Sequence, residues 1–117
     1  MGDLTQDQFR AAMKRGEHDL AVKPRARAAR YDRGSGQVVI DLISGATFSF
    51  PAMLGEGLER ATPEQLEKVE VAGAGFGLHW EDLDADLTVE GLLAGRFGSA
   101  RYMAARFGGG WDAEAAE

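Results

Sequence analysis

The segment RYDRGSGQVVIDLISGATFSFP, residues 30–51, decides the fold that the sequence predicts. Its centre, Gln37–Leu42, is rich in β-branched residues, which favour strands. Turns at residues 33–36 and 44–45 bound this strand, because their glycines readily adopt positive φ. One strand precedes the first turn, and another, Ala46–Phe50, follows the second. Strands joined by such tight turns run antiparallel, so we predict a three-stranded meander.

Capping signals predict short helices around this meander. Thr62-Pro63-Glu64-Gln65 combines an N-cap threonine, a proline at the first helical position and a glutamine at the third. Thr88 and Ser99 are the predicted caps of two later helices. A further amphipathic helix is expected at Thr5–Arg15.

The predicted fold class is therefore α+β, a small antiparallel β meander packed against short helices, with an extra N-terminal helix. Residues 1–24 form the N-terminal helix and linker, residues 25–108 the core domain, and residues 109–117 a flexible acidic tail. A chain of 117 residues is long enough for one hydrophobic core.

Composition excludes several classes of function. The chain has no cysteine, which removes disulfides, thiolate nucleophiles and cysteine-ligated zinc. It has neither a signal peptide nor an apolar run of the roughly 20 residues that cross a bilayer, so we expect a cytoplasmic protein with no membrane contact. Residues 37–95 carry eleven Asp/Glu and only two Lys/Arg, whereas residues 1–36 carry eight Lys/Arg and five Asp/Glu. An acidic middle favours basic partners and disfavours nucleic acid.

The glycines at positions 73, 75 and 77 fail as a phosphate-binding loop. A dinucleotide fingerprint needs glycine where Leu78 stands, and it needs a helix to follow, whereas the next residues are strand-like. We expect the glycines to form a bulge or tight turn that interrupts a strand spanning residues 69–80.

The acidic run that follows fails as a calcium loop. An EF-hand loop starting at Asp82 requires glycine and glutamate at its sixth and twelfth positions, where Leu87 and Leu93 stand. In a strand, the same spacing places Asp82, Asp84 and Asp86 on one face and leucine and alanine on the other. Two interpretations stay open: a solvated face, or a row of acceptors for a basic partner.

His79 lacks the neighbours that catalysis requires. A hydrolytic site needs a nucleophile, a base and an orienting group, or several metal ligands, and no serine or lysine is placed with this histidine. We therefore predict no enzymatic activity, no metal and no cofactor. Trp80, if exposed, is a candidate interaction hot spot. The predicted protein-interaction residues are His79, Trp80, Glu81, Asp82, Asp84 and Asp86.

A basic run lies along the first predicted strand. Alternation places Arg27, Ala29 and Tyr31 on one face of that strand. Neither an aromatic ladder nor a helix-turn-helix accompanies the run, and positive charge on an edge strand also discourages aggregation. The residues that would contact nucleic acid in this alternative are Lys23, Arg25, Arg27, Arg30 and Arg33.

Two segments carry a family resemblance. GLHWEDLDADLTVEGLLAGRFGSARYMAAR, with its run H-W-x-x-L-D-x-D-L from His79 to Leu87, resembles the C-terminal half of the bacterial family numbered 2442 among the domains of unknown function. The hairpin of residues 30–51 and the segment ATPEQLEKVEVAGAGFGLHW are similar to its upstream part. The resemblance covers roughly Ala28 to Arg106.

This resemblance implies a small α+β fold without established enzymatic activity. Members are often encoded beside a small toxin-like protein and are treated as antitoxin-like. Some carry a basic extension that could bind DNA, whereas the tail of this chain is short and acidic. The resemblance implies no catalytic residues for this chain.

Three hypotheses of function follow. The first is an antitoxin-like or inhibitor-like module that binds a basic protein partner through an acidic face. The second is a small DNA- or RNA-binding autoregulator that uses the basic strand. The third is a mobile-element-encoded inhibitor of a host nucleic-acid-handling complex. Exposed strand edges also allow a homodimer.

Overall fold

The QVVIDL segment forms the central strand of the first of two antiparallel sheets. In a computed structural model that describes Arg10 and residues 23–108, β1 (Ala26–Asp32), β2 (Gln37–Leu42) and β3 (Thr47–Pro51) pair in the order β1-β2-β3. The predicted meander is confirmed. The predicted helix Thr5–Arg15, apart from Arg10, and the predicted tail lie outside the described residues, so the domain boundaries stay predictions.

A β-bulge near the start of β1 changes which side chains face the core. Ala26 pairs with Leu42 but Ala28 pairs with Asp41, so one extra residue is inserted between these pairs. The prediction that Arg27 shares a face with Ala29 and Tyr31 was wrong, because a bulge shifts the alternation by one position. Ala26 is buried, Ala29 and Tyr31 are half-buried against the core, and Arg27 is exposed.

The second sheet comprises β4 (Glu70–Ala72), β5 (Gly77–Trp80) and β6 (Ala85–Thr88), paired in that order and antiparallel. The sequence left a bulge or a tight turn open at the glycines of residues 73–77; the chain reverses direction at Gly73–Gly75, so the tight turn is the one that forms, and residues 69–80 are not one strand. Gly73, Ala74 and Gly75 all have positive φ, of 58°, 59° and 96°. Three successive residues of this kind turn the chain back on itself instead of continuing the strand.

Short helices connect and cover the two sheets. They are a 3-10 turn at Ala52–Leu54, α1 (Pro63–Leu66), α2 (Val89–Leu93) and α3 (Ala100–Phe107). The three predicted caps are confirmed, since the hydroxyl groups of Thr62, Thr88 and Ser99 accept the backbone N–H groups of Gln65, Gly91 and Tyr102, respectively. No helix in the described part of the chain is long and apolar enough to cross a membrane.

The core is one cluster of buried residues drawn from both sheets and from the helices. Its largest fully buried side chains are Trp80, Phe50, Ile40, Leu58, Leu78, Leu92, Val38 and Val89. Trp80 is 0% exposed, and its Nε1 donates a hydrogen bond of 3.2 Å to the carbonyl oxygen of Leu66. The prediction of Trp80 as an interaction residue was therefore wrong, because the indole is a core side chain with a satisfied polar atom.

Candidate functional site

The second sheet presents an ionic cluster on its outer side, centred on His79. His79 of β5 pairs in register with Glu70 of β4 and with Asp86 of β6. Directly opposed residues of antiparallel strands project to the same side of a sheet, so the three side chains share this surface. Glu81 follows β5 and reaches back to the same ring. The opposite side of the sheet packs into the core through residues such as Leu78.

Both nitrogens of the His79 ring contact carboxylates. Nδ1 lies 2.7 Å from Oδ1 of Asp86, and Nε2 lies 2.7 Å from Oε2 of Glu81. A neutral imidazole has one N–H donor, whereas an imidazolium has two, so this geometry requires the charged ring. Hydrogen bonding to Glu81 first, and then to Asp86, raises the pKa of His79 to about 9. The cluster therefore holds a cation between two anions at neutral pH.

His79 is a poor general base in this arrangement. A catalytic base needs a pKa near the working pH and a free nitrogen within reach of a substrate. Here both nitrogens are occupied and the ring is only 25% exposed, whereas Glu81 and Asp86 are 78% and 71% exposed. The carboxylates, rather than the imidazole, are the groups that a ligand meets.

The three aspartates do not form the predicted row. Glu81–Leu83 is a 3-10 turn and Asp84 is left-handed with φ 48°, so only Asp86 lies in a strand. Asp82 turns to Lys68 of the segment before β4, with Nζ 2.7 Å from its Oδ2. The prediction failed because the turn between β5 and β6 breaks the two-residue period. The carboxylates that do lie together on the outer side of this sheet are those of Glu70, Glu81 and Asp86, and we call this surface the acidic face.

Glu70 is the member of the acidic face that sequence reasoning missed. It lies nine residues before His79, and only the hairpin register brings the two together. The expected tight turn at Gly73–Gly75, rather than the expected bulge, is what pairs residue 70 with residue 79. No group of three or more His, Cys, Asp or Glu side chains within the described ranges has the arrangement of a metal site.

The side chains of the basic run, Lys23, Arg25, Arg27, Arg30 and Arg33, have different surroundings in the structure. Arg33 forms a two-pronged contact with Glu67, at 2.8 and 2.9 Å, and lies 3.5 Å from Glu64. Arg25 lies 5.9 Å from the centre of the Phe76 ring, and its Nη1 donates to the carbonyl oxygen of Ala74. Arg27 and Arg30 are exposed, and Lys23 lines a cavity of about 220 Å³ with Phe76, Thr88 and Glu90. The five cations therefore do not form one row.

A cleft of about 340 Å³ adjoins the acidic face. Asp86 and Thr88 form one wall, and Arg96 and Glu56 line the remainder. Glu56 accepts the backbone N–H of Ser99 at 2.8 Å, so its carboxylate satisfies the first turn of α3. This hydrogen bond joins the start of α3 to the segment that follows the 3-10 turn, and the cleft is a concave surface beside Asp86.

The charge state of His79 makes stability depend on pH. The pKa of His79 is about 9 in the folded protein, above its ordinary value of 6.5. The contribution of His79 is therefore complete below about pH 6.5 and is lost as the pH rises through 9. We expect the difference in unfolding free energy between the wild type and His79→Gln, measured with urea, to shrink from pH 6 to pH 10. An equal difference at both values would contradict a charged ring.

Comparison with known proteins gives a family and a fold but no activity. No curated protein matches the chain. The crystal structure of a protein of unknown function from Rhodospirillum rubrum is similar, with 55% identity, a TM-score of 0.67 and coverage of 70% of this chain and 99% of that one. The solution structure of an uncharacterized protein from Chromobacterium violaceum has 28% identity, a TM-score of 0.69 and coverage of 90% and 95%. The family model described as protein of unknown function (DUF2442) matches residues 26–98, and the chain belongs to this family.

Proposed function

We propose that this domain binds a basic protein partner through the acidic face, as an antitoxin-like or inhibitor-like module without catalytic activity. The observation that carries the proposal is the pair of carboxylates held 2.7 Å from His79 and still largely exposed to solvent. Fixed carboxylates lose little conformational entropy when they accept hydrogen bonds from arginine or lysine. Their arrangement suits recognition better than proton transfer.

His79 contributes to this proposal as a positioning residue. Its ring links the β5–β6 turn to β6 by holding Glu81 and Asp86. One oxygen of each carboxylate faces the ring, and the other oxygen of each stays available to a guanidinium group. Glu70 adds a third carboxylate on the same side of the sheet. The surface therefore keeps an excess of negative charge although it contains an imidazolium.

A labelled arginine-rich peptide tests the proposal. We expect the double variant Glu81→Gln/Asp86→Asn to bind the peptide at least about tenfold more weakly than the wild type, because charge-assisted hydrogen bonds each contribute about 1.5–3 kcal/mol. The matched control, Glu59→Gln/Glu90→Gln, removes two exposed carboxylates outside the acidic face and should change the affinity little. Fluorescence anisotropy at two salt concentrations measures the affinities, and binding should weaken as salt increases.

Two results would contradict the proposal. One is equal weakening in the two double variants, which would show that net charge alone attracts the peptide. The other is undiminished binding in Glu81→Gln/Asp86→Asn, which would show that these two carboxylates do not contact the peptide. Relief of toxicity on co-expression with the neighbouring gene product distinguishes the antitoxin-like form of the proposal from other inhibitors.

A further inference from the structure

The His79 ring and a basic partner draw on the same two carboxylates. Nδ1 of the ring lies 2.7 Å from Oδ1 of Asp86, and Nε2 lies 2.7 Å from Oε2 of Glu81. The two acidic side chains are 71% and 78% exposed, so a cation from solvent reaches them, whereas the ring between them is 25% exposed. The negative charge that keeps the imidazole protonated is therefore also the charge offered to a guanidinium group.

The charged groups that face the ring come from three neighbouring segments. β4 contributes Glu70 and β6 contributes Asp86, each paired in register with His79. The turn after β5 contributes Glu81, whereas Asp82 of the same turn is paired with a lysine of the segment before β4. Hydrogen bonds to Glu81 and to Asp86, together with the charges of these two groups, raise the pKa of His79 to about 9. The charge of the ring thus depends on groups that a partner would contact.

We propose that partner binding and protonation of His79 oppose each other, so that a basic partner releases a proton from His79 when it binds the acidic face. This inference rests on the proposed function and adds the regulation of that site. A guanidinium group at the outward oxygens of Glu81 and Asp86 places a second cation near the imidazolium and neutralises the charge that stabilises it. Like charges disfavour each other, so the pKa of His79 falls on binding.

The neutral ring is the form that binds the partner more tightly, because no like charge then faces the incoming cation. A neutral imidazole still donates one of the two hydrogen bonds, so its positioning of the carboxylates is only partly lost. Linkage is reciprocal: if the partner lowers the pKa of His79, loss of the proton strengthens partner binding by the same factor. Affinity should therefore increase as the pH rises through the pKa of the free protein, which is about 9.

An arginine-rich peptide with an acetylated N-terminus tests this linkage, since arginine keeps its charge up to pH 10 and the peptide then has no α-amino group to titrate. For a pKa decrease of about one unit on binding, we expect the affinity of the full chain to increase about five- to tenfold from pH 7 to pH 10, and about half a proton to be released at pH 8.5. Fluorescence anisotropy measures the affinities, and calorimetry in two buffers of different ionisation enthalpy counts the protons.

His79→Gln is the matched control. It keeps the three carboxylates of the acidic face but has no titrating ring, so it reports the pH dependence that all other groups produce. We expect the increase in affinity and the proton release to be absent from this variant. NMR titration of the His79 ring in the wild type gives a direct readout, and its pKa should be at least about one unit lower with saturating peptide than without it.

Three results would overturn the inference, and they separate it from the proposed function. Binding without proton release and with an unchanged ring titration would leave the acidic face as the binding site but remove its link to His79. Binding that weakens from pH 7 to pH 10 in the wild type, but not in His79→Gln, would show that the ring acts only by positioning the carboxylates. Absence of peptide binding at every pH would overturn the proposed function as well.

Discussion

Replacing Trp80 with alanine should lower the free energy of unfolding by about 3–5 kcal/mol, because it removes a large aromatic side chain from a packed core. Trp80 is fully buried and lies on β5 beside Leu78 on the inner side of the second sheet. Small domains are stable by only about 5–15 kcal/mol, so the loss is a large fraction of the total. Chemical denaturation followed by circular dichroism measures it.

Trp80→Phe separates the packing of the indole from its hydrogen bond. Phenylalanine keeps most of the buried aromatic surface but cannot donate to the carbonyl oxygen of Leu66. We expect this variant to lose about 1–3 kcal/mol, the cost of leaving a buried acceptor unpaired. Equal and small losses in both variants, below about 1 kcal/mol, would show that the indole does not anchor the core.

The parts of the fold that the sequence predicted are those set by local chemistry. The caps at Thr62, Thr88 and Ser99 each depend on a side chain and a backbone N–H three residues away. The first meander depends on turns whose glycines lie next to β-branched segments. These contacts join residues that are close in the sequence, so they can be predicted from one sequence alone.

The second sheet was predicted only in part, because composition marks the first of its two turns, Gly73–Gly75, but not the second. Glu81–Asp84 contains no glycine, yet it reverses the chain through a 3-10 turn in which Asp84 takes the left-handed conformation. Aspartate tolerates this conformation better than most residues, but the same residue also suits an alternating surface strand. Local pattern alone could not decide between these two structures.

The sequence predicted only part of the candidate site, because one of its members depends on strand register. His79, Glu81 and Asp86 were named from sequence, and the structure brings them together. Trp80 alternates with His79 along β5, so its burial follows from the exposure of its neighbour once the sheet is known. Glu70 depends on the register between β4 and β5, which no residue of either strand specifies by itself.

Gly75→Ala should lower the free energy of unfolding by about 2–5 kcal/mol. Gly75 has φ +96°, and a Cβ atom built there would lie 2.7 Å from the carbonyl oxygen of Ala26 and 3.2 Å from the Cβ of Arg25. Alanine in a left-handed conformation costs about 1–2 kcal/mol, and forcing extra volume into a packed contact costs about 1–3 kcal/mol more. The reversal between β4 and β5 packs against the start of β1 at this point, so the substitution also strains the junction of the two sheets.

Gly73→Ala is the matched control for this contact. Gly73 lies in the same turn with φ +58°, and a Cβ atom built there meets nothing within 4 Å. Its replacement should cost only the conformational part, about 1–2 kcal/mol. The difference between the two variants, measured by urea denaturation, isolates the approach of the turn to β1. Equal losses would mean that the turn does not press on β1, and that the two sheets are joined through their shared core and the contacts of Arg25 instead.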